Sequence, residues 1–343
     1  AVFCNSGSSA NLLAYAALTE SGRVDREKDT VYAPAVSWPT TIAPALQYGL
    51  HVFLGDANQI TWGLSVDRLE EMCKKPYGDR PRIVILVDVL GVPVSRDRIL
   101  ALRDRYGFVL IEDGCGAHGS TYRGRKVGTF GDLSTFSMFV GHHMTTGEGG
   151  MVCVDDAPLA KTLRMIRAHG WAADLEPWQR ESLVQAHEID PFRSRFTFYT
   201  TGMNLRNTEF AAKLGLLQLP RLDAVCQRRS SNRDAYSSAL RDFPFPKQPD
   251  GRVSPIAFAF LAPSKVERDV ISKRLIEAGV EHRAVGGGNM ARQPFLSRYP
   301  KYFDRKPLPT ADKIHDQAIQ VPCHPGLTET DIDRVCAAIK GTP

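Results

Sequence analysis

Two adjacent histidines, His142 and His143, lie in a run from Ser137 to Gly150 that ends in paired glycines. An imidazole there can take up and return a proton near neutral pH. Neighbouring side chains on an extended segment face opposite ways, so the pair is not expected to share a metal. No HExxH pattern and no CxxC pair occurs, and no metal site is expected. Asp113 follows the apolar run Phe108–Ile111. A carboxylate just past a parallel strand lies at the ligand edge of an open sheet, where it can hold a protonated ring nitrogen; it can equally cap a loop. Gly7, Ser8 and Ser9 stand before a helical stretch and offer hydroxyls and free N–H groups to an anion, although an ordinary N-cap has the same residues. Ser137, just after another apolar run, is placed to complete such an anion site. Trp38, between Pro34 and Pro39, offers a face for stacking on a flat ring, or for packing at an interface.

The elements that must position these groups alternate in type. Apolar runs at 31–33, 51–54, 82–88, 108–111, 132–137 and 150–154 read as strands, with helical spacing at 11–18 and 96–106. Continuous apolar strands separated by helices predict a mainly parallel sheet covered on both faces. Residues 190–206 read as a polar, aromatic loop, and 209–240 as long helices interrupted at Pro220. Beyond Pro244, a strand (253–260), a helix (265–278) and a strand (281–285) predict a smaller α+β unit. The expected division is a large domain over 1–240 and a small one over 241–343.

At 343 residues the chain is long enough for two such units. Its net charge of +5 is dispersed, with no run of basic residues, so a nucleic-acid partner is not expected. No apolar stretch approaches the ~18 residues of a membrane span. Seven widely spaced cysteines suggest neither a disulfide framework nor zinc, and fit a reducing, cytoplasmic setting. The first residues read at once as a strand without an initiator methionine, which suggests numbering that begins inside a longer protein.

Taken in order and spacing, these features resemble the sugar aminotransferase family (DegT/StrS group) of pyridoxal phosphate (PLP) enzymes. The matching segments include Gly7-Ser8-Ser9, Trp38, Glu112-Asp113, 124–131, 137–150, 202–209, 287–294 and His324 to Gly326. The resemblance implies the fold-type I, aspartate aminotransferase-like α/β architecture. In that family the position of His142 carries a lysine that links covalently to the cofactor aldehyde. Histidine cannot form that stable link but retains acid–base chemistry, and no lysine occurs between Lys126 and Lys161. The histidine, with the stretch from Gly288 to Pro294, resembles the 3-dehydratase branch acting on nucleotide-linked 4-keto-6-deoxyhexoses, a GDP-linked sugar being the first expectation.

The resemblance implies a role for each residue. Ser8, Ser9 and Ser137 would hold the cofactor phosphate, Trp38 would stack on the ring, and Asp113 would bind its nitrogen. Asn204 would reach the partner subunit's cofactor in a homodimer. Arg283 and Arg292 are the choices for the substrate diphosphate. Pyridoxamine phosphate (PMP) would condense with the sugar's C4 ketone, His142 would carry the proton, the C3 hydroxyl would leave, and glutamate would regenerate PMP. Two departures stand out. An acidic residue three positions after the ring aspartate is replaced by Gly116, with His118 as a candidate to compensate. The closely spaced cysteines that bind an iron–sulfur cluster in one subgroup are missing after Arg167, so no cluster is expected. The alternatives are a 4-aminotransferase with an unusual base and a non-catalytic sugar-nucleotide binder. Retention of Asp113, Trp38 and Ser137 argues against the second.

Overall fold

The computed structural model describes residues 1–76, 80–248, 250–303 and 306–342. The chain runs β1 (Val2–Cys4), α1 (Gly7–Glu20), β2 (Thr30–Pro34), α2 (Pro39–Gln47), β3 (His51–Gly55), α3 (Val66–Cys73), β4 (Ile83–Val87), α4 (Asp97–Tyr106) and β5 (Val109–Asp113). A small hairpin, β6 (Thr121–Tyr122) and β7 (Arg125–Lys126), precedes β8 (Leu133–Ser137), β9 (Gly150–Val154) and α5 (Ala157–Arg167). Then come α6 (Pro177–Ala186), α7 (Glu209–Gln218) and α8 (Leu222–Ala239). The chain ends with β10 (Ala257–Leu261), α9 (Lys265–Glu277), α10 (Pro309–Gln317), β11 (Ala318–Pro322) and α11 (Glu329–Lys340).

Among the described residues seven strands form one sheet in the order β1-β9-β8-β5-β4-β2-β3. All neighbours pair in parallel except at β9, which runs antiparallel to both β1 and β8. The parallel strands are apolar throughout because helices cover both faces: Val31, Ile83, Ile85 and Ile111 are fully buried. Helix α1 is buried along most of its length, and its first turn is fixed by Ser6, whose Oγ accepts from the Ser9 amide at 3.0 Å. It enters very close to β8. A methyl group on Gly7 would sit 2.5 Å from the Ser137 Cβ, so only glycine lets the helix start touch the strand end.

The C-terminal region has its own two-stranded sheet, β10 antiparallel to β11, with a core that includes Phe260, Leu275, Ile319 and Ile339. Residues 281–285, expected as a strand, make only a single bridge, Arg283 with Gln320; β11 supplies the second strand instead. Residues 253–256 are also not strand. Pro255 lacks a ladder donor, and the Ser254 and Ile256 amides bond to Ser120 Oγ and the Leu90 carbonyl. We propose that the domain division falls near the end of α8. Tyr236 and Leu240 from that helix join the C-terminal core, whereas Val285, Met290, Leu308 and Ile314 pack into the core of the large sheet.

Candidate active site

The ends of β5 and β8 and the starts of α1 and α2 meet at one edge of the large sheet. Asp113 closes β5 and is buried. Its Oδ2 accepts from Asn11 Nδ2 at 3.0 Å and from the Thr41 hydroxyl at 2.8 Å, and its Oδ1 accepts from the Cys115 amide at 3.2 Å. Thr135, opposite Asp113 in the β5–β8 register, donates to Asn11 Oδ1 at 2.7 Å and so orients that amide. Asn11, Thr41 and Thr135 escaped the sequence reading. The signal for Asn11 was its place one helical turn after Ser8; Thr41 and Thr135 carried none.

One strand residue earlier, Glu112 faces the other way. It accepts from the Phe130 and Gly131 amides at 2.6 and 2.7 Å and pairs with Arg96 at 3.1 Å. Arg96 also pairs with Asp88, which follows β4, at 2.6 Å, and all three side chains are buried. This triad ties the ends of β4 and β5 to the start of α4 and to the loop before β8, fixing the edge on which Asp113 stands.

The expected phosphate residues come together in part. Ser8 is exposed at the first turn of α1, its hydroxyl 2.9 Å from that of Thr40 in α2. Ser137 abuts Gly7. The Ser9 hydroxyl is already engaged by Ser6 Oγ at 3.0 Å. Trp38 caps the start of α2 with 57% of its surface exposed, and its loop is held to residues 286–290 through Ser37 and Val36.

His142 sits in a tight turn, its amide bonded to the Phe139 carbonyl, inside a loop closed by the Thr146 amide on Met138. The segment is therefore not extended, and the two histidines do not diverge as expected. Both rings flank His118, at centroid distances of 6.3 Å for His142 and 5.4 Å for His143. Burial lowers the pKa of His142 to about 4; Arg229 and Arg283 push it the same way, against an opposing pull from Asp113. Burial likewise takes His118 down to about 3 and His143 well below its ordinary value. All three rings are neutral at pH 7. Among the described residues no group of three His, Cys, Asp or Glu is placed to hold a metal ion.

Arg283 is exposed, near enough to His142 to affect its charge, and its backbone is pinned to Gln320. Arg292 is paired with Asp316 at 2.9 Å and faces Asp312 at 3.6 Å, so its guanidinium already has acidic partners. Asn204 is exposed on the strip 203–207, which bonds to Cys4 and Asn5 at the end of β1 and bridges to Ala168, and it accepts from Arg206 at 3.3 Å.

Residues 1–340 match the DegT/DnrJ/EryC1/StrS aminotransferase family. The chain belongs to this family. Among curated relatives, it is 33% identical to the GDP-4-keto-6-deoxy-D-mannose 3-dehydratase of Yersinia pseudotuberculosis, over 94% of this chain and 82% of that protein. It is also 33% identical to the dTDP-4-dehydro-2,6-dideoxy-D-glucose 3-dehydratase of Saccharopolyspora spinosa, over 98% of this chain and 75% of that one. Among solved structures, a GDP-4-keto-6-deoxymannose 3-dehydratase variant with bound GDP-perosamine superposes with a TM-score of 0.89 at 29% identity, covering 98% of this chain and 87% of the other. The E. coli enzyme with bound hydrated PLP gives 0.86 at 30% identity, with 98% and 87% covered. The fold-type I architecture expected from the sequence is thus the fold of the DegT member described here. No helix among the described residues is long and apolar enough to cross a membrane.

Proposed function

We propose that this DegT-family chain removes the C3 hydroxyl of a nucleotide-linked 4-keto-6-deoxyhexose with PMP and PLP as its cofactor forms, His142 acting as the acid–base group. The observation that carries this reading is a half-buried imidazole whose pKa burial lowers, at the position where the aminotransferases of the family have lysine, beside the sheet edge that Asp113 closes. The fit of the cofactor rests on Asp113. Its buried carboxylate accepts from three neutral donors and enters no ion pair among the described residues, which leaves it free to balance a protonated ring nitrogen.

When bound, the cofactor supplies an amine that joins the sugar ketone and an electron sink that loosens the neighbouring bonds. The chain's own residues do the rest. Asp113 holds the ring nitrogen protonated. Ser8 at the start of α1 and Ser137 at the end of β8 beside it would bind the phosphate, where the helix N-terminus favours negative charge, with Ser9 supporting them. Trp38 covers the ring face. His142 accepts one proton on its ring and returns it to the departing C3 oxygen. Arg283 binds the diphosphate, a role that Arg292 shares only by giving up part of its ion pair with Asp316. Glutamate is the amino donor, and GDP the nucleotide, by analogy with the relatives.

A homodimer belongs to the same reading. Phe210, Leu216 and Leu217 on α7, the helix that follows Asn204 in the chain, are exposed apolar side chains, which supports a partner surface there and the role of that asparagine at the partner's cofactor phosphate.

The test is incubation with PMP, glutamate and a panel of GDP-, CDP- and dTDP-linked 4-keto-6-deoxyhexoses. The expected outcome is a 3-deoxy-4-keto product with ammonia release and turnover abolished by His142→Asn. A product that keeps its C3 oxygen and gains an amine would show a 4-aminotransferase instead.

A further inference from the structure

Arg229 on α8 is 4% exposed. Its Nη1 donates to the carbonyls of Pro255, Ile256 and Cys323 at 3.2, 2.9 and 3.4 Å, and its Nε has no hydrogen-bond partner. It forms no salt bridge with a carboxylate among the described residues; the neighbouring titratable groups that bear on it are the thiols of Cys226 and Cys323. A buried guanidinium satisfied by carbonyls alone keeps its full charge and projects it on its surroundings.

Those surroundings are the imidazole trio. Ser254, next to the clamped Pro255, accepts from His143 Nε2 at 3.0 Å. His118 lies against His143 and His142, and its two ring nitrogens, like Nδ1 of each neighbour, lack well-formed hydrogen bonds. Two buried rings, the half-buried His142 and one buried cation thus lie close together. His142 is faced by Asp113 from β5, Arg229 from α8, Arg283 from the 281–285 segment, and His118 from the loop after β5. Only Asp113 favours a charged ring, and its carboxylate is already engaged by Asn11, Thr41 and Cys115.

We infer that Arg229 is a positioning residue for the acid–base step: its buried, carboxylate-free charge holds the His118–His142–His143 cluster in the uncharged, proton-accepting form. The functional meaning rests on the proposed dehydration, but the electrostatic claim does not. Burial is the main cause of the low pKa of each ring, and the Arg229 charge pushes all three the same way. An Arg229 that only clamps backbone would act on stability and leave the titration of the rings alone.

The experiment is NMR titration of the whole cofactor-free chain labelled with carbon-13 histidine, the His142 resonance being assigned by its loss in His142→Asn. In the wild type its midpoint lies well below the ordinary histidine range. In Arg229→Gln the midpoint rises by about 0.5–1 pH unit, the effect of removing one nearby charge. In Arg229→Lys, which keeps the charge but loses the fork of donors, it stays near the wild-type value. Equal shifts in both variants, or no shift in Arg229→Gln, would overturn the inference. If Arg229→Gln does not fold, the other two proteins decide: a wild-type midpoint near 6.5, or a raised one in Arg229→Lys, is equally fatal. Because no sugar is present, failure here leaves the dehydration reading standing. Failure of the sugar panel leaves this one standing.

Discussion

His118→Phe should make the protein less sensitive to acid, although it removes no ion pair. His118 is buried against Phe136 at a centroid distance of 5.2 Å, so phenylalanine suits its surroundings. Burial, with help from His142 and Arg229, lowers its pKa from 6.5 to about 3. The unfolded chain therefore binds a proton below pH 6.5 that the folded chain refuses until about pH 3. Wherever the unfolded state binds more protons, stability rises with pH. The stability that depends on a neutral His118 is thus complete above pH 6.5 and drains away as the pH falls from there toward 3. Between pH 7.5 and 5 the loss is about 2 kcal/mol for this one ring. His142, with its pKa near 4, loses a similar amount over the same interval, and His143 adds to it.

Against a total stability of about 5–15 kcal/mol for a typical protein, the trio makes acid unfolding near pH 5 a leading weakness of the cofactor-free chain. Urea titrations at pH 7.5, 6 and 5 measure it. The variant is expected to carry a fixed offset at pH 7.5 from altered packing. Between pH 7.5 and 5 it should then lose about 2 kcal/mol less than the wild type. The slope is decisive, not the offset. If the two proteins lose stability in parallel, His118 is not held neutral by the fold, and the electrostatic account of the trio fails with it.

Asp113→Asn keeps the size of the side chain and its acceptors for Asn11 and Thr41 but removes the charge. PLP and PMP affinity, followed by absorbance titration, should fall by about 10- to 100-fold, the worth of one charge-assisted hydrogen bond; the cofactor-free protein should also lose about 1–3 kcal/mol, because the new NH2 faces the Cys115 N–H. Arg96→Met leaves Asp88 and Glu112 buried without their cation; a loss of about 3–5 kcal/mol in urea unfolding is expected, and a neutral outcome would mean that the triad does not hold the strand ends. His142→Lys should give a covalent PLP adduct with a visible absorbance band that borohydride fixes to residue 142; no band would mean that this position does not face the cofactor aldehyde.

The large sheet was legible because parallel strands buried on both faces must be apolar from end to end, and runs such as Ile83–Val87 carry that demand in their composition. The small sheet was only half legible. Residues 281–285 and 318–322 both have strand texture, and the choice between them is made by pairing with β10, 57 or more residues away for the true partner, which no local pattern encodes. The placing of Asp113 and Ser137 at the sheet edge was legible because each directly follows an apolar run. Their support could not: Thr41 on α2 and Asn11 on α1 bond Asp113, and Thr135 on β8 holds Asn11, so the contacts come from three different elements. The histidine trio was hidden for a sharper reason. An extended segment would have separated His142 from His143, whereas the Phe139–His142 turn brings both rings to His118, which follows a different strand.

That turn bears on how an imidazole would serve in the proposed dehydration. A base with a pKa near 4 is weaker than free histidine, so the trio does not help His142 to take its proton. It helps in the opposite direction. Once the ring is charged, it lies among two neutral imidazoles and beside a buried cation, and giving the proton up is favoured by roughly 3 kcal/mol more than from an ordinary histidine. A departing hydroxyl needs a strong acid at the moment its bond to carbon breaks. A site that refuses charge at His142 therefore favours the second proton movement over the first, which is the order of difficulty expected when the sink for electrons is supplied by a cofactor and the acid must come from the chain. The same refusal makes the folded protein vulnerable to acid, so the urea experiment on His118→Phe and the titration of Arg229→Gln probe one electrostatic design from its cost and from its use.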